Sequence, residues 1–553
     1  MKKLKTFVGV VLGLIVLNLI VQNYDYKIDM TQNKRFTLSQ ASIKTVKNIK
    51  QPVQVLVFLK GNFPSYFKRL ANETKNLLDD FKQQNPNIDY VFINPLKKGD
   101  KYLKGLIRKG LQPTQISLQK EGKMEQLLIF PWVIIKQGNR EIPVSLLVNT
   151  YSKNLDDQIE KSIENLEFAL ANGLNKLNTR KNKKIAIIKG NGELDDLHLT
   201  DFLRSLHQKY LLAPFTLDSV ANNAPKTLKD LQQYDLAIVA KPTERFNEKE
   251  KFVLDQFIMN GGRLLLLTDA VKAHKDTLMY HGKTYALNAE LNLTDMLFSY
   301  GLRINPVLVK DLIAALVVLK VGQIGNRPQL KQFPWFYSPL AQPNKAHPIG
   351  KNLEMILTDF VSPIEILKNN TKKTILLTSS PKTQLVGVPT EINFDEIGKK
   401  PDIKQYNAGP QIFGVLLEGP IKSAYKHRIK PIKIPHPKDS IKDGALVVFS
   451  DGDLIKNQVD RGKALTLGYD KWSKLKYDNK QFLRNAVDYL MDKNGVISLK
   501  NKIVKLNFLD DNKVVSELTF WQWLNLLFPL IFIISGGLIF NYWRKHKYAK
   551  NYQ

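Results

Sequence analysis

Two long apolar segments lie near the two ends of the chain, and each carries basic residues on its terminal side. Residues 519–543 are long enough, at about 1.5 Å of rise per residue, to cross a hydrocarbon core of about 30 Å. Trp521 and Trp523 lie near the start of this segment, where aromatic side chains favour the membrane interface. The pattern predicts a membrane-spanning helix, followed by a basic cytoplasmic tail at 544–553.

The first apolar segment, residues 7–21, allows two interpretations, a membrane anchor or the hydrophobic region of a signal peptide. The residues after it, from Gln22 to Asp25, offer no small-x-small cleavage site, which favours an uncleaved transmembrane anchor over residues 1–22. Basic flanks stay cytoplasmic, so both termini are predicted to be cytoplasmic. The expected location is a bacterial inner membrane with the main body in the periplasm.

The polar and apolar positions after the first anchor predict an α/β domain over residues 31–150. Ser39 can cap a helix over residues 40–47, and apolar residues spaced three and four apart predict an amphipathic helix over 66–81. Short β-branched runs predict the strands. These strands are expected at 53–59, 90–93, 115–118, 126–135 and 142–147.

A continuous apolar face predicts one long connecting helix with a basic hinge over residues 151–182. Buried strands then alternate with helices, which is typical of parallel sheets. The expected elements of this second domain, residues 183–495, are strands at 185–188, 236–240, 263–268 and 445–450 and helices at 197–210, 248–260 and 480–491.

Within the second domain, the Pro- and Lys-rich segment 381–442 is predicted to form loops and edge strands. Residues 496–518 are predicted to return the chain to the bilayer through a strand at 503–508. The predicted fold class is therefore α/β: two exoplasmic α/β domains, the second a flavodoxin- or Rossmann-like parallel sheet, bracketed by an N-terminal and a C-terminal transmembrane helix.

The chain is strongly basic and contains no cysteine. Its 82 Lys and Arg residues against 51 Asp and Glu residues give a formal charge of +31, most of it on the body. Such a surface attracts polyanions, and outside an inner membrane these are lipid headgroups and anionic cell-envelope polymers rather than nucleic acid. The alternative is that the lysines only maintain solubility. The absence of cysteine excludes a Cys-based zinc site, redox motif or nucleophile.

A glycine-rich turn, Gly190-Asn191-Gly192-Glu193, follows the first strand of the second domain. Its backbone amides and the next helix N-terminus offer an anion site. A dinucleotide fingerprint would place a third glycine where this chain has Asp195, so the pattern favours a structural turn. No cofactor is expected.

Asp451 and Asp453 follow the strand at 445–450. Open α/β sheets bind ligands at the carboxyl ends of their strands, so the two carboxylates are candidates for a cation. With no third ligand nearby in the sequence, an Asp-Gly-Asp turn is the favoured interpretation, and no metal site is predicted.

The sequence does not point to an enzyme. It contains no P-loop, no His-Glu-x-x-His motif and no Gly-x-Ser-x-Gly elbow. Catalytic residues are therefore not expected. Two other classes stay open: a periplasmic solute receptor of an ABC transporter, with a pocket between the domains, and a cell-wall-modifying enzyme with paired carboxylates.

Several segments resemble the GldG family, the membrane-anchored auxiliary proteins of the gliding-motility ABC transporter of Bacteroidetes. The matching residues are 29–39, 59–64, 92–95, 257–262, 335–353, 416–419, 425–428 and 450–453. Asn191 stands where related sequences carry the histidine of Gly-His-Gly-Glu, so no imidazole role is implied there.

The resemblance implies a non-catalytic auxiliary or scaffold subunit that supports gliding motility. Its implied partners are an ABC permease subunit and a cytoplasmic ATPase subunit, bound through the exoplasmic domains and the transmembrane helices. It also implies a central domain similar to the ABC-transport auxiliary domain and to the flavodoxin-like domain of intraflagellar-transport proteins.

Overall fold

The computed structural model describes residues 13, 29, 37–120, 123–148, 155–178, 183–395, 397–492, 497, 499 and 516–549. The predicted anchor at 1–22 and the predicted strand at 503–508 lie outside these residues, except for Gly13. The chain divides into two units, residues 1–503 and 504–553, which are described separately.

The first sheet is mixed. It has the strand order β2-β1-β5-β6, with β1 and β2 parallel and the other pairs antiparallel. A separate hairpin, β3-β4, accompanies it. The elements are α1 (Gln40–Lys47), β1 (Val53–Val57), α2 (Ser65–Gln84), β2 (Ile88–Phe92), α3 (Asp100–Arg108), β3 (Thr114–Lys120), β4 (Lys123–Ile129), β5 (Trp132–Gln137) and β6 (Arg140–Ser145).

The segment predicted as one long connecting helix forms two helices, α4 (Leu155–Glu164) and α5 (Leu166–Asn178), separated at Asn165. Their apolar faces lie in the same core as the first sheet, where Leu170 and Leu174 are almost fully buried. Burial of this face stabilises each apolar side chain by about 1.5–3 kcal/mol relative to exposure. The two helices are therefore structural parts of the first domain.

A ten-stranded mixed sheet forms the second part of this unit. Its parallel strands lie in the order β8-β7-β9-β10-β23, and its helices cover both faces, as the two core clusters on either side show. The elements up to the fourth parallel strand are β7 (Lys184–Lys189), α6 (Asp196–His207), β8 (Leu211–Thr216), α7 (Val220–Leu231), β9 (Leu236–Ala240), α8 (Glu248–Met259) and β10 (Arg263–Leu267).

Small strands and a long hairpin follow, and the sheet closes with a buried strand and helix. These elements are β11 (Val271–Lys272), α9 (Lys275–His281), β12 (Lys283–Asn288), α10 (Thr294–Tyr300), β13 (Leu302–Ile304), β14 (Val307–Asp311), β15 (Ala314–Ile324), β16 (Arg327–Pro343), β17 (Ile356–Leu357), β18 (Ile364–Ile366), β19 (Lys372–Thr378), β20 (Thr383–Gly387), β21 (Thr390–Asn393), β22 (Ile412–Lys422), β23 (Ser440–Phe449), β24 (Val459–Asp460), β25 (Lys463–Ala464) and α11 (Asn479–Met491).

The structure corrects the prediction for segment 381–442. This segment contains β22, which lies between β19 and β23 inside the large sheet, and Phe413, Val415 and Leu417 on it are fully buried. The strand is antiparallel to both neighbours, so the sheet is mixed and not parallel throughout. Its continuous buried run is only five residues long, 413–417, and Pro and Lys residues flank it. The composition of the whole segment therefore predicted a surface position.

The second unit contains α12 (Leu518–Ala549). Among the described residues, its stretch Leu518–Lys547 is the one helix long and apolar enough to cross a membrane, and none of it is buried within the unit. Phe528, Phe532 and Ile533 are more than two-thirds exposed. Such a surface is unfavourable in water and requires lipid or protein around it.

Candidate functional site

The carboxyl ends of the parallel strands meet at one edge of the large sheet, and charged residues follow most of them. Numbered along the chain, the five strands lie in the order 2-1-3-4-5, so strand order reverses between β7 and β9. Ligands of open α/β sheets bind outside such a reversal point. The turn after β7, Lys241 after β9 and Asp451 after β23 therefore lie in the expected region.

Hydrogen bonds with protein groups hold the Gly190–Glu193 turn in its conformation. The Asn191 amide donates to Glu193 Oε2 at 2.9 Å, and the Asn191 carbonyl accepts the amides of Thr243 and Glu244, each at 3.0 Å. Gly192 has φ +68°, and a Cβ there would collide with the Thr243 hydroxyl. Glycine is required at this position because of both the conformation and the close approach.

Asn191 fixes the turn to the neighbouring helix. Its side chain is buried and donates from Nδ2 to Glu250 Oε2 at 3.0 Å. Burial raises the pKa of the nearby Glu193 carboxyl. A carboxylate thus occupies the amide-lined turn that an anion would need, so the geometry favours the structural interpretation of Gly190, Asn191 and Gly192.

Asp451 and Asp453 lie in a buried charge cluster that is centred on Lys241. The Lys241 ammonium lies 3.4 Å from Asp269 Oδ2 and pairs closely with Asp453. The Lys241 side chain is only 9% exposed. Asp269 Oδ1 also accepts the Gly452 amide at 2.6 Å, which fixes the turn between the two acids.

The backbone of this turn is fitted to the lysine. A Cβ at position 452 would lie 2.5 Å from Lys241 Cγ, so glycine lets the turn approach the stem of the lysine. Lys241 itself has φ +54°, which is uncommon for a residue with a side chain. The strained conformation places the ammonium between carboxylates that follow two other strands.

A second lysine extends the cluster. Asp451 Oδ2 accepts the Asp359 amide at 3.0 Å, and its Oδ1 accepts the Asp453 amide at 2.7 Å. The Asp359 carboxylate in turn lies 2.6 Å from Lys275 Nζ and accepts a short hydrogen bond from Ser338. The edge thus holds four carboxylates and two ammonium groups.

Burial and mutual repulsion set the charges of these acids. Burial raises the pKa of the Asp451 carboxyl well above its usual range, and the nearby Asp453 and Asp269 carboxylates add to that rise. Burial also raises the pKa of Asp269. The Lys241 and Lys456 ammonium groups outweigh burial at Asp453 and lower its pKa. Burial therefore favours the protonated forms of Asp451 and Asp269 relative to water, whereas Asp453 is stabilised as a carboxylate.

The carboxylates of the cluster form their ion pairs and hydrogen bonds with other groups of the protein. Among the described residues, no group of three or more His, Cys, Asp and Glu side chains has the arrangement to hold a metal ion. The Lys241 ammonium occupies the position between carboxylates that a cation would take. The geometry therefore favours the turn interpretation of Asp451 and Asp453.

Sequence reasoning missed Lys241, Asp269, Lys275 and Asp359. A signal for two of them was present: Lys241 and Asp269 come within two residues of the ends of buried strands that are neighbours in the sheet. Lys275 and Asp359 carry no such signal, because they come from elements outside the parallel part of the sheet.

Two family models match separate parts of the chain. A family described as an ABC-type uncharacterized transport system matches residues 182–486, and a domain of unknown function, DUF7088, matches residues 32–136. An uncharacterized protein of Borreliella burgdorferi is 25% identical over 533 residues, which covers 94% of each chain.

One solved structure, the mmIFT52 N-terminal domain, is 12% identical to this chain. The match covers 56% of this chain and 97% of that domain, with a TM-score of 0.31. A likeness at this level carries no argument about fold or function, so the implied similarity to intraflagellar-transport proteins stays a prediction.

Proposed function

Because the chain belongs to the ABC-type uncharacterized transport system family, we propose that it is a membrane-anchored, non-catalytic auxiliary subunit of an ABC transporter-type complex. The family match supports an accessory role in such a system. The observation that carries the membrane part of the proposal is α12, whose apolar surface is exposed along its whole length.

In this proposal, α12 crosses the inner membrane and packs against the permease subunit, while a cytoplasmic ATPase drives movement in the complex. The body lies in the periplasm, and both termini lie in the cytoplasm. The segments that resemble GldG support the narrower proposal that the complex serves gliding motility. The self-contained pairing of the Lys241 cluster supports a binding or scaffold role over catalysis.

A membrane topology test can use the absence of cysteine in the chain. Single-cysteine variants at Lys229, which is exposed on α7, and at Gln553 are treated in intact cells with a membrane-impermeant maleimide. We expect labelling at position 229 and none at position 553 until the membrane is permeabilised. Labelling at position 553 alone would contradict the proposed topology.

Partner binding is tested by affinity purification of the tagged full chain from detergent-solubilised membranes. We expect the permease and the ATPase to co-purify, and removal of residues 518–553 to abolish this. A matched control replaces 518–547 with an unrelated spanning helix of equal length, which keeps the anchor but removes the specific surface. Unchanged recovery with both variants would refute a role for α12 in permease binding.

The narrower motility proposal requires a host that glides. There, deletion of the gene should abolish spreading on agar, and the full chain should restore it. Normal spreading of the deletion strain would refute the link to gliding while leaving the accessory role in transport open to the co-purification test.

A further inference from the structure

A cleft of about 310 Å³ lies between the first α/β domain and the family domain. One wall comes from residues 147–148, which follow β6, from Asn165 between α4 and α5, and from Phe168 on α5. The other wall comes from residues 351–353 and from the start of α11. An ion pair joins the two sides nearby, with Lys161 Nζ 3.5 Å from Glu354 Oε1.

The lining of this cleft is strongly basic. Its ionisable side chains are Lys351, Lys476, Lys480, Arg484 and the single acid Asp478. Opposite charges close by would cancel such a field, so the partners of these cations decide whether the cleft attracts an anion.

Two of the cations make no direct ion pair with a described residue. Lys480 lies 3.0 Å from Asp201 Oδ1, and Lys351 lies near the Glu164 carboxyl. Lys476 lies in the field of Asp478, and Arg484 in that of Asp488, a carboxylate that already pairs with Lys209, but neither side chain makes a hydrogen bond or ion pair with any residue that the structure describes. Burial of Lys351 in this wall lowers its pKa, and the Glu164 carboxylate opposes that effect.

The carboxylate of Asp478, the single acid of the cleft, binds a backbone amide and does not cap α11. Asp478 Oδ2 accepts the Glu354 amide at 2.8 Å, and Asp478 makes no side-chain capping bond to α11. The first-turn amides of this 13-residue helix therefore lack a side-chain cap, and the first-turn residues Lys480 and Gln481 line the cleft. The positive end of the helix adds to the field of the side chains.

We propose that this interdomain cleft binds a small organic phosphate between Lys476, Arg484 and the start of α11. A guanidinium presents a planar fork of donors that matches phosphate oxygens, and helix N-termini bind phosphate through free amides. Phe168 and Leu353 give the cleft an apolar wall for the organic part of the ligand. The volume is at the lower end of the range for small-molecule sites.

The test uses the purified full chain in a neutral, phosphate-free detergent, with calorimetric titration of glycerol 3-phosphate, inorganic phosphate and glycerol. We expect binding of both phosphates and none of glycerol. The double variant Lys476→Gln/Arg484→Gln should weaken binding by about tenfold or more, because charge-assisted hydrogen bonds are lost. No binding of glycerol 3-phosphate at about 10 mM would overturn the proposal.

The matched control is Lys226→Gln/Lys229→Gln on the exposed face of α7, which removes the same net charge away from the cleft. Its affinity should stay within about twofold of the unmodified chain, since the lost charges are distant and screened. Equal weakening by both double variants would overturn the proposal, because it would show a general effect of surface charge.

A gain of affinity separates binding from any damage to folding. Asp478→Asn keeps an oxygen acceptor for the Glu354 amide but removes the negative charge from the cleft. We expect this variant to bind glycerol 3-phosphate several-fold more tightly. Unchanged or weaker binding with unchanged thermal stability would contradict the assignment of the ligand to this cleft.

Competition identifies the source of the phosphate. If the natural ligand is a lipid headgroup, short-chain phosphatidylglycerol should displace glycerol 3-phosphate, whereas a soluble metabolite site should exclude the lipid. The inference does not depend on the proposed transport role, because the measurement uses the isolated chain. Failure of phosphate binding and failure of permease co-purification are thus separate results.

Discussion

Replacement of Lys241 by methionine tests whether the charge cluster is a structural feature of the fold. Methionine keeps most of the stem that contacts Gly452 but removes the ammonium between Asp269 and Asp453. Removing one partner of a buried pair costs about 3–5 kcal/mol, because an uncompensated charge stays behind. Since the side chains of the two acids are 15% and 17% exposed, we expect about 3 kcal/mol.

The penalty should depend on pH. In the unmodified chain Lys241 lowers the pKa of Asp453, so this acid contributes stability above its ordinary pKa that is lost as the pH falls through the lowered value. Without the lysine, burial raises that pKa, and the folded state takes up a proton more readily than the unfolded state. The difference between the two proteins should therefore be largest near about pH 8 and shrink toward about pH 4.

The assay is urea unfolding of the full chain in detergent, followed by near-ultraviolet circular dichroism at several pH values. Lys82→Met is the control, because the 2.8 Å pair of Lys82 with Asp89 joins side chains that are 51% and 67% exposed and should cost under about 1 kcal/mol. Adding Asp453→Asn to Lys241→Met should restore part of the stability. A loss below about 1 kcal/mol for Lys241→Met near pH 8 would refute the reasoning.

Three further changes test other contacts. Asp451→Asn should remove a pH-dependent loss of stability: the pKa of Asp451 is raised, so the unmodified chain is destabilised as the pH rises above about 4, and urea unfolding of the variant should lack that decline. Asp255→Ala leaves the Ser423 hydroxyl and two other buried donors unpaired, so unfolding should become easier by at least about 3 kcal/mol. Ser39→Ala removes a helix cap and a 2.7 Å bond to Glu167, and hydrogen exchange should show α1 weakened by about 0.5–2 kcal/mol; unchanged exchange would contradict this.

Local signals in the sequence predicted many elements correctly. The Ser39 cap and the helix over residues 40–47 are confirmed, since the Ser39 side chain accepts a hydrogen bond from the Ser42 amide. The strand at 236–240 is also confirmed with the same bounds. Both follow from short-range physics: a capping side chain, or an apolar run bounded by polar turns.

The errors share a different cause. The predicted strand at 126–135 is two strands, β4 and β5, because Phe130 enters a separate core and the Pro131 carbonyl accepts the Leu146 amide. A continuous apolar run does not show which core each residue joins. The hydrogen bond from Ser39 to Glu167 joins residues that are 128 positions apart, and no pattern in a single sequence predicts such a contact.

The candidate site shows the same limit in its chemistry. Asp451 and Asp453 were found because acids after a buried strand are visible in a single segment, but their partner Lys241 is more than 200 positions away from either. An acid at the end of a parallel strand indicates that a cation lies nearby. That cation can be a lysine side chain of the same chain instead of a bound ion. Whether such an edge binds a ligand therefore depends on what the neighbouring strand ends contribute. Here the residue after β9 contributes an ammonium group, so the basic cleft, where the Lys476 and Arg484 side chains make no direct ion pair with a described residue, is the better place to look for a ligand.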